Sequence, residues 1–174
     1  MESYQEFMSR ISSFEKPTFS IDQKGFTPSQ SVLNKVKDDN TFAYFYGDTV
    51  VFDLAEEEKE KIAELIQTLY LHASQCFCEE LSASTLHMTL HDLSSAVDKS
   101  TVMNQMFQNV IQLSKVLETK KALPQLIHMR SNYLINMVNT SVVLALYPVD
   151  EVEYLKLMYW YEAVDEVLKL PYPF

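Results

Sequence analysis

Glycine is almost missing from this chain: Gly25 and Gly47 are the only two in 174 residues. A loop that closes backbone N–H groups around a phosphate needs several glycines, so that class of nucleotide site is excluded. Cysteine is equally scarce. Cys76 and Cys78 stand too close together for a disulfide framework, and with His72 they sketch at most a corner of a metal site. Buried thiols and an exposed histidine at a helix end account for them more simply, so no metal is expected there. Basic residues number 14 against 24 acidic ones, a net charge of −10, which leaves no cationic track to displace counterions from long nucleic acid. No apolar run reaches membrane-span length, and "MESYQEFMSR" has acid where a secretory signal would be basic. The expectation is a soluble, cytoplasmic protein without a membrane partner.

What is present is a core. With 47% apolar residues, including ten Tyr and ten Phe, the chain can bury a sizeable interior. Residues 1–40 are polar, contain Pro17, Gly25 and Pro28, and read as an irregular or partly helical lead-in. "TFAYFYG" and "TVVFDLA" flank Gly47-Asp48, a turn of hairpin type, so two antiparallel strands are expected there. "EEEKEKIAELIQTLYLHA" spaces Ile62, Leu65, Ile66 and Leu69 as one face of a helix, with acids in the first turn where the macrodipole favours them. "TLHMTLHDL", from Thr85 to Leu93, alternates as a strand. After a linking helix near Thr101–Lys120, "PQLIHMRSNYLIN" and "TSVVLALYPV" form a long hairpin turning near Val138–Thr140. "DEVEYLKLMYWYEAVDEVLKL" follows as an amphipathic helix.

The second run repeats the first in letters as well as order. Thr49 lies over Ser141, Val50-Val51 over Val142-Val143 and Leu54 over Leu146, which points to internal duplication. The fold class is therefore α+β. Residues 41–97 make a first lobe, and 98–174 make the linking helix and a second lobe. If the unit is strand, strand, helix, strand, the second copy lacks its last strand, because the chain gives "LPYPF" and stops at Phe174. An unpaired sheet edge at that place would invite self-association, and Leu155, Met158 and Trp160 should pack across the gap.

His87-Met88-Thr89-Leu90 resembles the H-x-T-x signature of the 2H phosphoesterases, the superfamily of bacterial RNA 2',5'-ligase-like proteins and cyclic phosphodiesterases. The resemblance covers residues 41–174 as an architecture and this motif alone as a functional feature. It implies two pseudo-symmetric lobes of antiparallel strands, with helices packed outside and one motif from each lobe lining a central cleft. The implied activity is metal-independent, cofactor-free hydrolysis of a cyclic or 2',5'-linked nucleotide phosphodiester by two histidines. The implied catalytic residues are His87 and Thr89. A second motif would fall on the strand that the chain lacks, so low activity is expected of the chain alone.

Elementary chemistry agrees with those two residues. Positions i and i+2 of a strand share a face, so His87 and Thr89 project together while Leu86, Met88 and Leu90 enter the core. Imidazole exchanges a proton near neutral pH, and a threonine hydroxyl donates to a phosphate oxygen. For an isolated H-x-T the plainer reading is a half-buried histidine satisfied by a carbonyl. His91 either continues the row or sits at the strand end beside Asp92. In "LIHMRSNYLIN" the alternation sets His128, Arg130 and Asn132 on one face; Arg130 is a candidate forked phosphate contact with His128 beside it, or that face is simply solvated. Tyr44, Tyr46 and Tyr133 are candidate base-stacking platforms, with core packing as the default. The expected partner is a small nucleotide or short oligonucleotide. The alternative is a non-catalytic module that binds a nucleotide or a protein on a degenerate scaffold of the same kind.

Overall fold

A computed structural model describes residues 2–14, 30–96, 98–119, 124, 126–137 and 141–168. The architecture is mixed α+β, with two separate two-stranded antiparallel sheets among the described residues. The chain divides into one unit of Met1–Ser29 with Phe107–Phe174 and another of Gln30–Met106. The turn expected at Val138–Thr140 and the segment "LPYPF" lie outside the described residues. No helix among the described residues is long and apolar enough to cross a membrane.

The N-terminal helix α1 (Tyr4–Ser13) belongs to the other unit, and the unit Gln30–Met106 starts with a single helical turn, α2 (Gln30–Leu33). A tight reversal follows, closed by a bridge between Val36 and Phe42. Asn40 takes the left-handed conformation there, with φ of 63°, which asparagine tolerates better than most residues. Then come β1 (Tyr46–Asp53), α3 (Glu56–Ala73) and β2 (His87–Ala96), with β1 and β2 paired. Helix α4 (Lys99–Thr119) begins in this unit and ends in the other. Asp98 leads into it, accepting from the Thr101 and Ser100 hydroxyls and the Thr101 N–H, which hold its carboxyl down at about 2.

Gly47-Asp48 is not a turn. Both residues lie inside β1, whose antiparallel partner is β2 and not the preceding "TFAYFYG" segment. The reason is a close approach. A Cβ at Gly47 would stand 3.2 Å from the Ser94 carbonyl oxygen, a gap that glycine leaves open. Asp48 Oδ1 accepts from the Ser94 N–H at 2.9 Å and also from the Ser94 hydroxyl, at a register shift between Asp48 and Thr49. The Gly-Asp pair therefore marks a bulge in the pairing, a signal the sequence shares with turns.

The other unit is built around tyrosine. Its β3 (Met129–Met137) and β4 (Ser141–Pro148) pair antiparallel, and β4 runs into α5 (Glu151–Leu168). Phe7, Tyr147, Tyr154 and Met158 form the buried cluster, with Tyr4, Met8, Ile11, Tyr133 and Tyr161 against it. Helix α1 reaches this core because a capping box starts it cleanly: Glu6 N–H donates to the Ser3 hydroxyl, and Ser3 N–H to the Glu6 carboxylate. Its Phe7 ring lies 5.0 Å from the Tyr154 ring. Two phenols of this core find carbonyl partners, as polar tips in an apolar setting require. Tyr154 donates to the Glu2 carbonyl, and Tyr133 to the Ile11 carbonyl at 2.9 Å.

Of the three α5 residues expected to pack together across a gap, Met158 is buried in this core, Trp160 donates its indole N–H to the Pro124 carbonyl at 2.7 Å, and Leu155 is exposed. Met158→Ala should accordingly destabilise the protein by about 2–5 kcal/mol through a core cavity, and Leu155→Ala by no more than about 0.5 kcal/mol. Urea unfolding of the two variants beside wild type checks both values.

Candidate functional site

The pairing of β1 with β2 decides which residues share a face. His87 lies opposite Asp53, Thr89 opposite Val51, Asp92 opposite Thr49 and Ser95 opposite Gly47, and all eight are exposed. The reverse face carries Met88 with Phe52, His91 with Val50 and Ser94 with Asp48, all buried or half-buried. His87 and Thr89 thus project together. His91 does not join them. The register shifts between Val50 and Val51, so Leu90 has no residue opposite it, and the next position falls on the inner face. Only 6% of His91 is exposed. Simple alternation places it beside Thr89; the extra residue reverses that.

A short 3-10 turn, Ala83–Thr85, prepares His87. Thr85 is held from both sides, its N–H and its hydroxyl donating to the Ser82 carbonyl at 2.9 and 2.7 Å. The Thr85 carbonyl oxygen in turn stands 2.7 Å from His87 Nδ1. A carbonyl only accepts, so Nδ1 carries the hydrogen and the neutral imidazole keeps its lone pair on Nε2. The ring is oriented, and one tautomer is selected. The sequence contains this device in "TLH", but nothing in composition or period distinguishes Thr85 from any other strand-edge threonine.

Charge around His87 is already matched. Asp53, across the pair, accepts from Lys59 Nζ at 2.8 Å and from the Leu54 N–H at 3.1 Å. Lys59 also reaches Glu56 at 3.0 Å. The lysine holds the Asp53 carboxyl below its usual range, and the two carboxylates, Asp53 first, raise the lysine. Lys59 is thereby committed to carboxylates.

His128 and Arg130 belong to the other unit, and each is held by its own partner. The Glu153 carboxylate accepts from the His128 backbone N–H at 2.9 Å, from His128 Nδ1 at 3.2 Å and from Lys156 Nζ at 2.6 Å. Lys156 first, and then the His128 N–H, bring the Glu153 carboxyl from 4.5 down to about 2. Glu153 itself is buried while the His128 ring is exposed. The arrangement clamps the start of β3 to the first turn of α5, and it presents His128 with Nδ1 protonated. Arg130 instead lays its guanidinium 4.7 Å above the ring of Tyr147, its cross-strand neighbour. Sequence reasoning missed Glu153. Its signal is a D-x-x-E at a helix start, which reads as a capping box, but only the Asp150 half caps, accepting from the Glu153 N–H at 2.9 Å.

The remaining candidates scatter. Tyr44 is exposed, Tyr46 has Lys99 Nζ 5.9 Å from its ring, and Tyr133 packs against the tyrosine core. His72 and Cys76 are exposed, and partial burial raises the half-buried Cys78 thiol. Among the described residues no group of three His, Cys, Asp or Glu is placed to hold a metal ion. No protein-family model, curated protein or solved structure matches the chain.

The Glu153 clamp predicts a pH dependence whose sign follows from its lowered pKa. The folded state holds the carboxylate ionised, so its stabilisation is complete above about 4.5 and fades as the pH falls towards about 2. Thermal melts of wild type and Glu153→Gln should differ at neutral pH and converge across that window.

Proposed function

We propose that the His87–Thr89 face is the proton-transfer half of a 2H-type phosphoesterase site, acting on a cyclic or 2',5'-linked nucleotide phosphodiester. The observation that carries this reading is the Thr85 carbonyl on His87 Nδ1, because it leaves a basic Nε2 on an exposed face beside the Thr89 hydroxyl. In the proposed reaction Nε2 takes a proton from the attacking water as oxygen bonds to phosphorus. Thr89 donates to a non-bridging phosphate oxygen, whose charge grows in the transition state. The departing ribose oxygen needs a proton from the opposite side, and the resemblance assigns that to a second motif across a central cleft between two pseudo-symmetric lobes.

The letters that align Thr49 with Ser141 fall in β1 and β4, and each of these strands is followed by a helix after two residues, although α5 starts three residues later than the letters place it and the first run has one strand before its helix where the second has two. The acidic chain suits a small nucleotide or short oligonucleotide better than a long polyanion. Proton transfer by His87 calls on no Lewis acid, so any turnover should persist in EDTA.

The decisive test is a set of substitutions assayed on 2',3'-cyclic nucleotides. His87→Ala should lower kcat/KM by about 10²- to 10⁴-fold, the usual range for a positioned proton-transfer group. His91→Ala should leave turnover in place and lower the melting temperature, since that side chain is on the buried face. Titration of a nucleoside 2'-phosphate, followed by the imidazole NMR signals, should move His87 and leave His91 in place. Unchanged turnover in His87→Ala, or a phosphate that perturbs neither His87 nor Thr89, would remove the proposal. Nucleotide binding that leaves the His87 imidazole unperturbed would favour the non-catalytic module.

A further inference from the structure

Helix α4 carries two adjacent seams. Val102, Met106, Asn109, Leu113 and Val116 recur at alternating steps of four and three, and all are buried or half-buried. One position further along, Ser100, Met103, Phe107, Val110, Ser114 and Leu117 repeat the same spacing, and every one of them is exposed. Met103 is 46%, Phe107 63%, Val110 57% and Leu117 64% exposed. A seam with that period suits another helix crossing at a shallow angle.

The order of residues in the exposed seam says which helix. Laid antiparallel on a second copy of itself, with the two-fold axis between Phe107 and Val110, it sets Phe107 against Val110, Met103 against Ser114 and Leu117 against Ser100. Every layer pairs a large side chain with a small one, so the seam is self-complementary in volume. A parallel pair would set Phe107 on Phe107 and Ser114 on Ser114. The two serines are also ready for burial, since Ser114 donates to the Ile111 carbonyl at 2.9 Å and Ser100 to Asp98 at 2.7 Å. Charge points the same way. On a chain of net charge −10, α4 carries only Lys99, Lys115 and Glu118, and none of them is in the seam, so two copies meet there without the repulsion they meet elsewhere.

We infer that the protein self-associates as an antiparallel two-fold dimer through the α4 seam. This is independent of the phosphoesterase reading and uses no sheet edge. Sedimentation equilibrium over about 1–100 µM should show a monomer–dimer equilibrium. Val110→Glu should raise the dissociation constant at least about tenfold, with an unchanged circular dichroism spectrum, because the site is exposed in the single chain. Val152→Glu, in the exposed apolar patch that α5 forms with Pro124, Leu155 and Tyr159, should leave the dimer intact. Spin labels on Glu118→Cys, in a Cys76→Ser/Cys78→Ser background, should be separated by about 28 Å along the axis from the rise per residue, against about 10–15 Å for a parallel pair. A monomer throughout the concentration range, dissociation by Val152→Glu in place of Val110→Glu, or the short label distance would each overturn the inference.

Discussion

The register of β1 against β2 governs what the first sheet can do. Two residues of β2, Leu90 and Leu93, have no opposite number in β1, and each omission exchanges the faces of everything beyond it. Because of the first, His87 and Thr89 are solvent-facing and His91 is buried. Because of the second, Ser94 comes under Asp48 and Ser95 comes opposite Gly47. The Asp48–Ser94 hydrogen bonds and the missing Cβ at Gly47 hold that register where the strands approach most closely. Which side chains face solvent at one end of the strand pair depends on packing at the other.

In the second sheet a carboxylate has the corresponding task. Glu153 satisfies three donors at once, two of them from His128, and the ordering of the first α5 turn by Asp150 makes the geometry available. A buried carboxylate without such donors would be strongly destabilising, so the clamp is as much a requirement of Glu153 as a service to His128. Arg130 gains its order differently, by lying over the ring of Tyr147, one of the buried members of the tyrosine cluster.

Much of this was readable from period alone. The helix over "EEEKEKIAELIQTLYLHA" is α3 to the residue; the strand expected over Thr85–Leu93 is β2 from His87 to Ala96, and the strand expected over "PQLIHMRSNYLIN" is β3 from Met129, with β4 following the expected turn at Val138–Thr140. Long amphipathic and alternating segments are legible because burial repeats the same requirement at every turn or pleat. The failures are single-residue events. One extra residue at Leu90 moves His91, a close backbone approach makes Gly47-Asp48 look like a turn, and a carboxylate that could have capped its own helix reaches His128 instead. Each depends on a partner 25 or more residues away, as with Glu153 and His128, or Asp48 and Ser94 at a separation of 46. Local pattern carries no record of such partners.

The tyrosine core also sets an order of assembly. Tyr154 bonds to a carbonyl 152 residues earlier in the chain, and Tyr133 to one 122 residues earlier. The unit Gln30–Met106 is continuous in sequence, whereas the unit around Tyr154 needs Phe7 from one end and α5 from the other. Loop-closure entropy delays contacts of such separation, so the continuous unit can form during synthesis while α1 waits for α5 to emerge. Phe7 has no Tyr154 to pack against until α5 is present, so the apolar face of α1 is covered late.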